Sequence, residues 1–126
     1  MNLEAIREFC LSLPDATENV QWGNDLVFKV GGKMFAVFGL EGGSASALSF
    51  KCTPEEFAEL TEREGIIPAP YVARYHWVSV QQQNVLSNAE TKRLLKDSYE
   101  LVRAKLPKKV LATLSAPKAP PQKRNA

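Results

Sequence analysis

The stretch Leu26-Val27-Phe28-Lys29-Val30-Gly31-Gly32-Lys33-Met34-Phe35-Ala36-Val37-Phe38 decides the fold class. Two runs rich in Val and Phe flank a pair of glycines, and glycines supply the positive φ angles that a two-residue hairpin loop demands. An antiparallel strand pair is the reading. Pairing across the loop sets Val30 opposite Lys33 and Phe28 opposite Phe35. Leu26, Phe28, Val30, Phe35 and Val37 then share one face, which helices should cover, and Val27, Lys29, Met34, Ala36 and Phe38 form the other.

Upstream, Leu3, Ile6, Cys10 and Leu13 recur at helical spacing, with Glu4, Arg7 and Glu8 on the wet side. Asn2 caps this helix and Pro14 ends it. Thr17–Trp22 reads as a short strand leading into the hairpin. Downstream, Glu41-Gly42-Gly43-Ser44 makes a turn and Ala45–Cys52 the next strand. Thr53-Pro54-Glu55-Glu56 opens a second helix, with Thr as N-cap, Pro at its first position and a capping box, and Gly65 closes it. Ile66–Tyr71, with Pro68 and Pro70, is an extended connector, and Tyr75–Val80 a last strand of alternating faces. Ser87-Asn88-Ala89-Glu90 starts a third helix whose stripe is Leu94, Leu95, Ser98, Leu101 and Val102, running to about Leu106. Val110, Leu111 and Leu114 then make one short amphipathic turn.

This order of helix, strands, helix, strand and helix predicts an α+β fold of two layers, an antiparallel sheet with helices packed mainly on one face. At 126 residues and 44% apolar content the chain supports a single domain, placed at residues 1–109. Residues 110–126 form a basic tail, and after Ser115 only Ala, Pro, Lys, Gln, Arg and Asn remain, a composition expected to be disordered. No apolar run approaches the ~20 residues of a membrane span, and no secretory signal is expected. Cys10 and Cys52 lack metal-ligand spacing and read as small buried hydrophobes, so a reducing cytoplasm is the expected compartment.

The net charge of +2 hides an asymmetry. Residues 1–106 carry 11 basic and 14 acidic side chains, a net of −3, whereas the last 20 residues hold Lys108, Lys109, Lys118, Lys123 and Arg124 and no acid. Catalytic chemistry finds little to use. His76 is the lone histidine, expected on a strand face beside Trp77, and no nucleophile elbow, phosphate loop or metal cluster can be assembled. The chain is therefore expected to be non-enzymatic, with no cofactor and no metal. What remains is a basic and aromatic group on the sheet: Trp22, Lys29, Lys33, Lys51, Arg74, His76 and Trp77. Cations for phosphate and rings for bases are the two ingredients of single-strand recognition.

Several of these segments together resemble the MmcQ/YjbR family of small bacterial proteins over residues 1–109. They are Pro14-Asp15-Ala16-Thr17-Glu18, Trp22-Gly23, Val27 to Ala36, Leu48-Ser49-Phe50-Lys51-Cys52, Gly65-Ile66 with Pro68-Ala69-Pro70-Tyr71, His76-Trp77-Val78 and Ser98-Tyr99-Glu100-Leu101-Val102. The resemblance implies a two-layer α/β fold similar to type III secretion chaperones. It also implies DNA binding, a label attached to the family through its fold, and its pattern matches Trp22, Lys29, Lys33, Lys51, His76 and Trp77. The functional expectation is a DNA- or other nucleic-acid-binding module of weak, sequence-independent affinity, assisted by the five tail cations and without membrane contact. The alternative is a protein-interaction module using its sheet or an edge strand, as a homodimer or with a partner peptide. An enzyme or small-molecule binder working through His76 and a lysine would need a concave pocket beside them.

Overall fold

A computed structural model describes residues 2–21, 24–40, 47–70, 72–82 and 84–114. The first helix, α1, is Leu3–Ser12, and the Asn2 side chain accepts from the Ala5 amide at its start. Three strands follow, β1 (Ala16–Gln21), β2 (Asp25–Val30) and β3 (Lys33–Gly39), then β4 (Leu48–Lys51) and the short helix α2 (Pro54–Leu60). Next come β5 (Ile66–Pro68), a 3-10 turn at Ala73–Tyr75, β6 (Trp77–Val80), the long helix α3 (Asn88–Ala104) and α4 (Lys108–Leu111). The strands form one antiparallel sheet in the order β1-β2-β3-β4-β6-β5, so the predicted α+β class stands. The turn expected at 41–44 lies outside the described residues.

The hairpin forms where the glycines require it, with Gly31 at φ 58° and Gly32 at φ 83°. Its register departs from simple alternation. Lys29 pairs with Met34 but Phe28 pairs with Ala36, so Phe35 is an extra residue, a β-bulge in β3. One inserted residue inverts the parity of everything after it. Ala36 and Phe38 therefore join Leu26, Phe28 and Val30 in the core, while Val37 turns to the opposite face with Val27 and Met34. The expected pairing of Phe28 with Phe35, and the assignment of Val37 inward with Ala36 and Phe38 outward, are corrected accordingly. The bulge still leaves Phe35 fully buried, 6.4 Å from the Phe28 ring and edge-on to Tyr99 at 5.4 Å.

Helix α3 covers this face with Leu94, Leu95, Ser98 and Tyr99. Each fully buried Phe or Leu contributes about 1.5–3 kcal/mol relative to exposure. The Ser98 hydroxyl donates to the Phe35 carbonyl (2.6 Å) and accepts from the Lys51 amide (2.9 Å), so it supplies the bulge with hydrogen bonds that the ladder does not. Ser87 and Glu90 form the full capping box that opens α3. At α2 the Thr53 side chain caps as expected, but the Glu56 carboxylate accepts from Arg93 (3.0 Å) and ties α2 to α3.

Helix α2 ends at Leu60, five residues before Gly65. The Thr61 hydroxyl bonds back to the Phe57 carbonyl (2.7 Å), and the polar run that follows has no apolar face to extend. Gly65, at φ 93°, instead turns the chain into β5. The 66–71 connector is in part this edge strand, on which Pro68 leaves no ladder bond unmade. Beyond 109 the chain stays packed through α4, with Val110 against Gly31 and Leu114 against the core.

Candidate nucleic-acid interface

The sheet has one face under helices and a second that no helix covers among the described residues, called the open face, on which Val27 and Trp77 are nonetheless buried. Cross-strand partners share a face, so the register places Lys29 with Met34, Val27 with Val37, Ser49 with Val37 and Ser79, and Lys51 with Trp77 on the open side. The expected site residues divide between these surfaces. Lys29 and Lys51 stand on the open face two strands apart, a spacing of roughly 10 Å. Lys33 is exposed at the hairpin but pairs with Val30, so it belongs to the helix side. Trp22 and the tail residues Lys118, Lys123 and Arg124 lie outside the described residues, while Lys108 and Lys109 are exposed on α4.

The last strand begins two residues later than expected. His76 adopts the left-handed conformation at φ 65° and ends the 3-10 turn. Arg74 and His76 therefore do not share a strand face. The His76 ring lies 5.6 Å from that of Phe57 on α2, and its carbonyl accepts from the Cys52 amide (2.9 Å), which turns it toward the helical layer. Arg74 goes elsewhere, its guanidinium 4.9 Å over the ring of Tyr75.

Tyr75 is the residue that reading the sequence missed. It is 50% exposed, and its carbonyl accepts from Lys51 Nζ (2.6 Å), so one residue carries an arginine over its ring and a lysine on its backbone carbonyl. Burial, and then the charge of Lys105 past the end of α3, hold the Lys51 pKa below the usual lysine value. Among the described residues no ion pair engages Lys29, Lys33, Lys51 or Arg74, whereas Arg7, Arg63 and Arg93 are paired with carboxylates.

Beside this cluster the open face is concave. A cavity of about 470 Å³ is lined by Met34, Val37, Ser49 and Trp77 of the sheet and by Pro70 and Val72 of the segment ahead of the 3-10 turn, with Asp25 at its other end. Trp77 is 5% exposed and therefore forms a wall of this cavity rather than a projecting platform. Its lining was hidden by the bulge, which alone sends Val37 outward. The near-continuous apolar run Met34–Phe38 was the available signal, since a strand buried on both faces loses its alternation.

Among the described residues no group of His, Cys, Asp and Glu is disposed to hold a metal, and no helix is long and apolar enough to cross a membrane. Both thiols are buried, and burial pushes Cys10 up to about 12 and Cys52 to about 11.

Comparison with known proteins agrees with the architecture. The YjbR family model matches residues 11–101. A crystal structure of a Deinococcus radiodurans protein carrying the DUF419 domain superposes with a TM-score of 0.78 at 28% identity, covering 88% of this chain and 86% of that one. A Pseudomonas syringae protein superposes with a TM-score of 0.64 at 23% identity, over 80% of this chain and 98% of that one, a likeness of fold. No curated protein matches.

Proposed function

From the premise that this chain belongs to the YjbR family, we propose that it is a non-catalytic nucleic-acid-binding module whose contact surface is the open face of the sheet and its Tyr75 corner. The observation that carries the reading is the meeting of Arg74, over the exposed Tyr75 ring, and Lys51, on the Tyr75 backbone carbonyl, with Lys29 on the same side as Lys51 and no carboxylate paired to any of these cations among the described residues. An acidic body argues against polyanion binding only if its acids lie where the polyanion would sit. Eight of the fourteen acidic residues, Glu4, Glu8, Glu55, Glu56, Glu59, Glu90, Asp97 and Glu100, are on helices α1, α2 and α3. Asp25 is the one acid of the sheet whose register places it on the open face among the described residues.

Ring and cations side by side suit a single strand, whose bases are free to stack while its phosphates are neutralised. Such affinity is largely indifferent to sequence and steeply dependent on salt, with a slope near −0.7 per phosphate neutralised on single strands. Anisotropy titrations of a labelled single-stranded oligonucleotide across a salt series test it. Lys29→Gln and Arg74→Gln are each expected to flatten the slope by about 0.7, whereas Lys92→Gln on α3 leaves it unchanged. Replacing Lys118, Lys123 and Arg124 by Gln weakens binding and leaves a component that the sheet variants remove. If the tail variant shows no affinity at low salt while the parent chain binds, the sheet has no part in binding.

One observation favours a second reading. Both outer strands have a free edge among the described residues, and Val20 on β1 and Ile67 on β5 are 57% and 43% exposed. Such edges admit an added strand from a peptide or a second copy. A homodimer that sediments unchanged at high salt supports this reading over the first.

A further inference from the structure

The charges around the open-face cavity are arranged along its length. Met34 and Trp77 line one end, and their register partners are Lys29 and Lys51. Asp25 also lines the cavity, and the register sets it beyond Val27 and Val37, away from Met34. Lys29 and Asp25 are four positions apart on β2, which at strand rise is roughly 13 Å, the scale of one nucleotide from its phosphate to the far edge of its base. Between them the walls are apolar, apart from the Ser49 hydroxyl. Gln21, the cross-strand neighbour of Asp25, has a buried Oε1 that accepts no hydrogen bond among the described residues.

Resting on the reading given above, we infer that this cavity takes one unstacked nucleobase of the bound strand and selects bases that carry an exocyclic amino group. The base slides between Met34, Val37 and Trp77 on the sheet and Pro70 and Val72 opposite. Its phosphate lies at the end flanked by Lys29 and Lys51. At the far end the amino group donates to the Asp25 carboxylate, the pairing by which acidic side chains read cytosine. Thymine offers a carbonyl oxygen at that position, which meets the carboxylate as acceptor against acceptor. Charge complementarity decides the occupant: cations sit where a phosphate ends and an acid sits where an amine ends. A purely apolar ligand would use neither.

The test compares three labelled oligomers of equal length with the full chain at one low salt concentration: oligodeoxycytidine, oligodeoxythymidine and an abasic deoxyribose-phosphate strand. The cytidine strand is expected to bind about tenfold tighter than the thymidine strand, with the abasic strand weakest. Asp25→Asn, which offers a donor in place of the carboxylate, narrows or reverses the preference for cytidine over thymidine, while its lost negative charge strengthens all three strands alike. Ser49→Phe fills the cavity and brings all three strands to the abasic level. Circular dichroism melting establishes that each variant is folded, and if the Ser49 variant is not, Asp25→Asn decides alone. Equal binding of all three strands by the parent chain overturns the base site and leaves the electrostatic reading standing. A cytidine preference that survives Asp25→Asn also overturns it. Failure of every strand to bind overturns both.

Discussion

The Ser98 hydroxyl donates to the Phe35 carbonyl across 2.6 Å inside the core, 63 positions away in sequence. Phe35 is the extra residue of the bulge, so a single helical side chain holds in place the irregularity that sets the parity of β3. Through that parity it also determines which side chains line the open face.

Ser98→Ala leaves the Phe35 carbonyl and the Lys51 amide without their partner in a site that water does not reach. Unsatisfied buried groups cost about 1–3 kcal/mol each, and partial relaxation brings the expected loss to about 2–4 kcal/mol. Urea unfolding monitored by circular dichroism measures it. A loss below about 0.5 kcal/mol would mean that the bulge is held by packing alone.

The two hairpin glycines should not respond alike. A Cβ at Gly31 would stand 2.6 Å from Leu106 Cδ1 and 3.1 Å from Val110 Cγ1, whereas one at Gly32 meets nothing within 4 Å. Both positions have positive φ, so each alanine carries about 1–2 kcal/mol of backbone strain. Gly31→Ala adds overpacking, a further ~1–3 kcal/mol. Combining Gly31→Ala with Leu106→Ala should cost less than the two changes summed, which a double-mutant cycle of unfolding free energies reads directly.

Cys10 and Cys52 should be nearly inert in the native protein. With thiol pKa values raised by burial to about 12 and about 11, little thiolate exists at neutral pH, and the thiolate is the nucleophile. Titration with a chromogenic disulfide should be slow in buffer and rapid, at two thiols per chain, in denaturant. Fast labelling of either cysteine in buffer would contradict its burial.

Binding of a phosphate strand should weaken on the alkaline side sooner than a free lysine would allow. Burial first, and Lys105 second, lower the Lys51 pKa in the free protein, while a bound phosphate favours the ammonium form. Contact with Lys51 is thus complete below the lowered pKa and is lost as pH rises through it. Lys105→Gln removes the repelling charge and should move that decline to higher pH. A profile that Lys105→Gln leaves in place would separate Lys51 from the binding surface.

The fold was legible because its main signals are local. The Gly31-Gly32 pair, the Thr53 and Ser87 caps and the spacing of Leu94, Leu95 and Ser98 each act within a few residues. The site was half legible. Lys29 and Lys51 keep the face that alternation gives them, since the extra residue lies in β3 and leaves the alternation of β2 and β4 intact. Val37, Tyr75 and His76 escaped because their orientation is decided elsewhere: by an inserted residue, and by a left-handed turn at a position where most side chains resist it. Neither cause leaves a periodic trace.

The hydrogen bond from the Tyr99 hydroxyl to the Pro14 carbonyl joins groups 85 positions apart, and the hairpin glycine Gly31 is sealed by Leu106 and Val110. In order of synthesis these closing parts follow every strand of the sheet. Until α3 has formed, α1 and α2 cover their own parts of the sheet while β3 and β4 lack the helix that packs on them. Formation of α3 is therefore also the step that shields this hydrophobic face from other nascent chains.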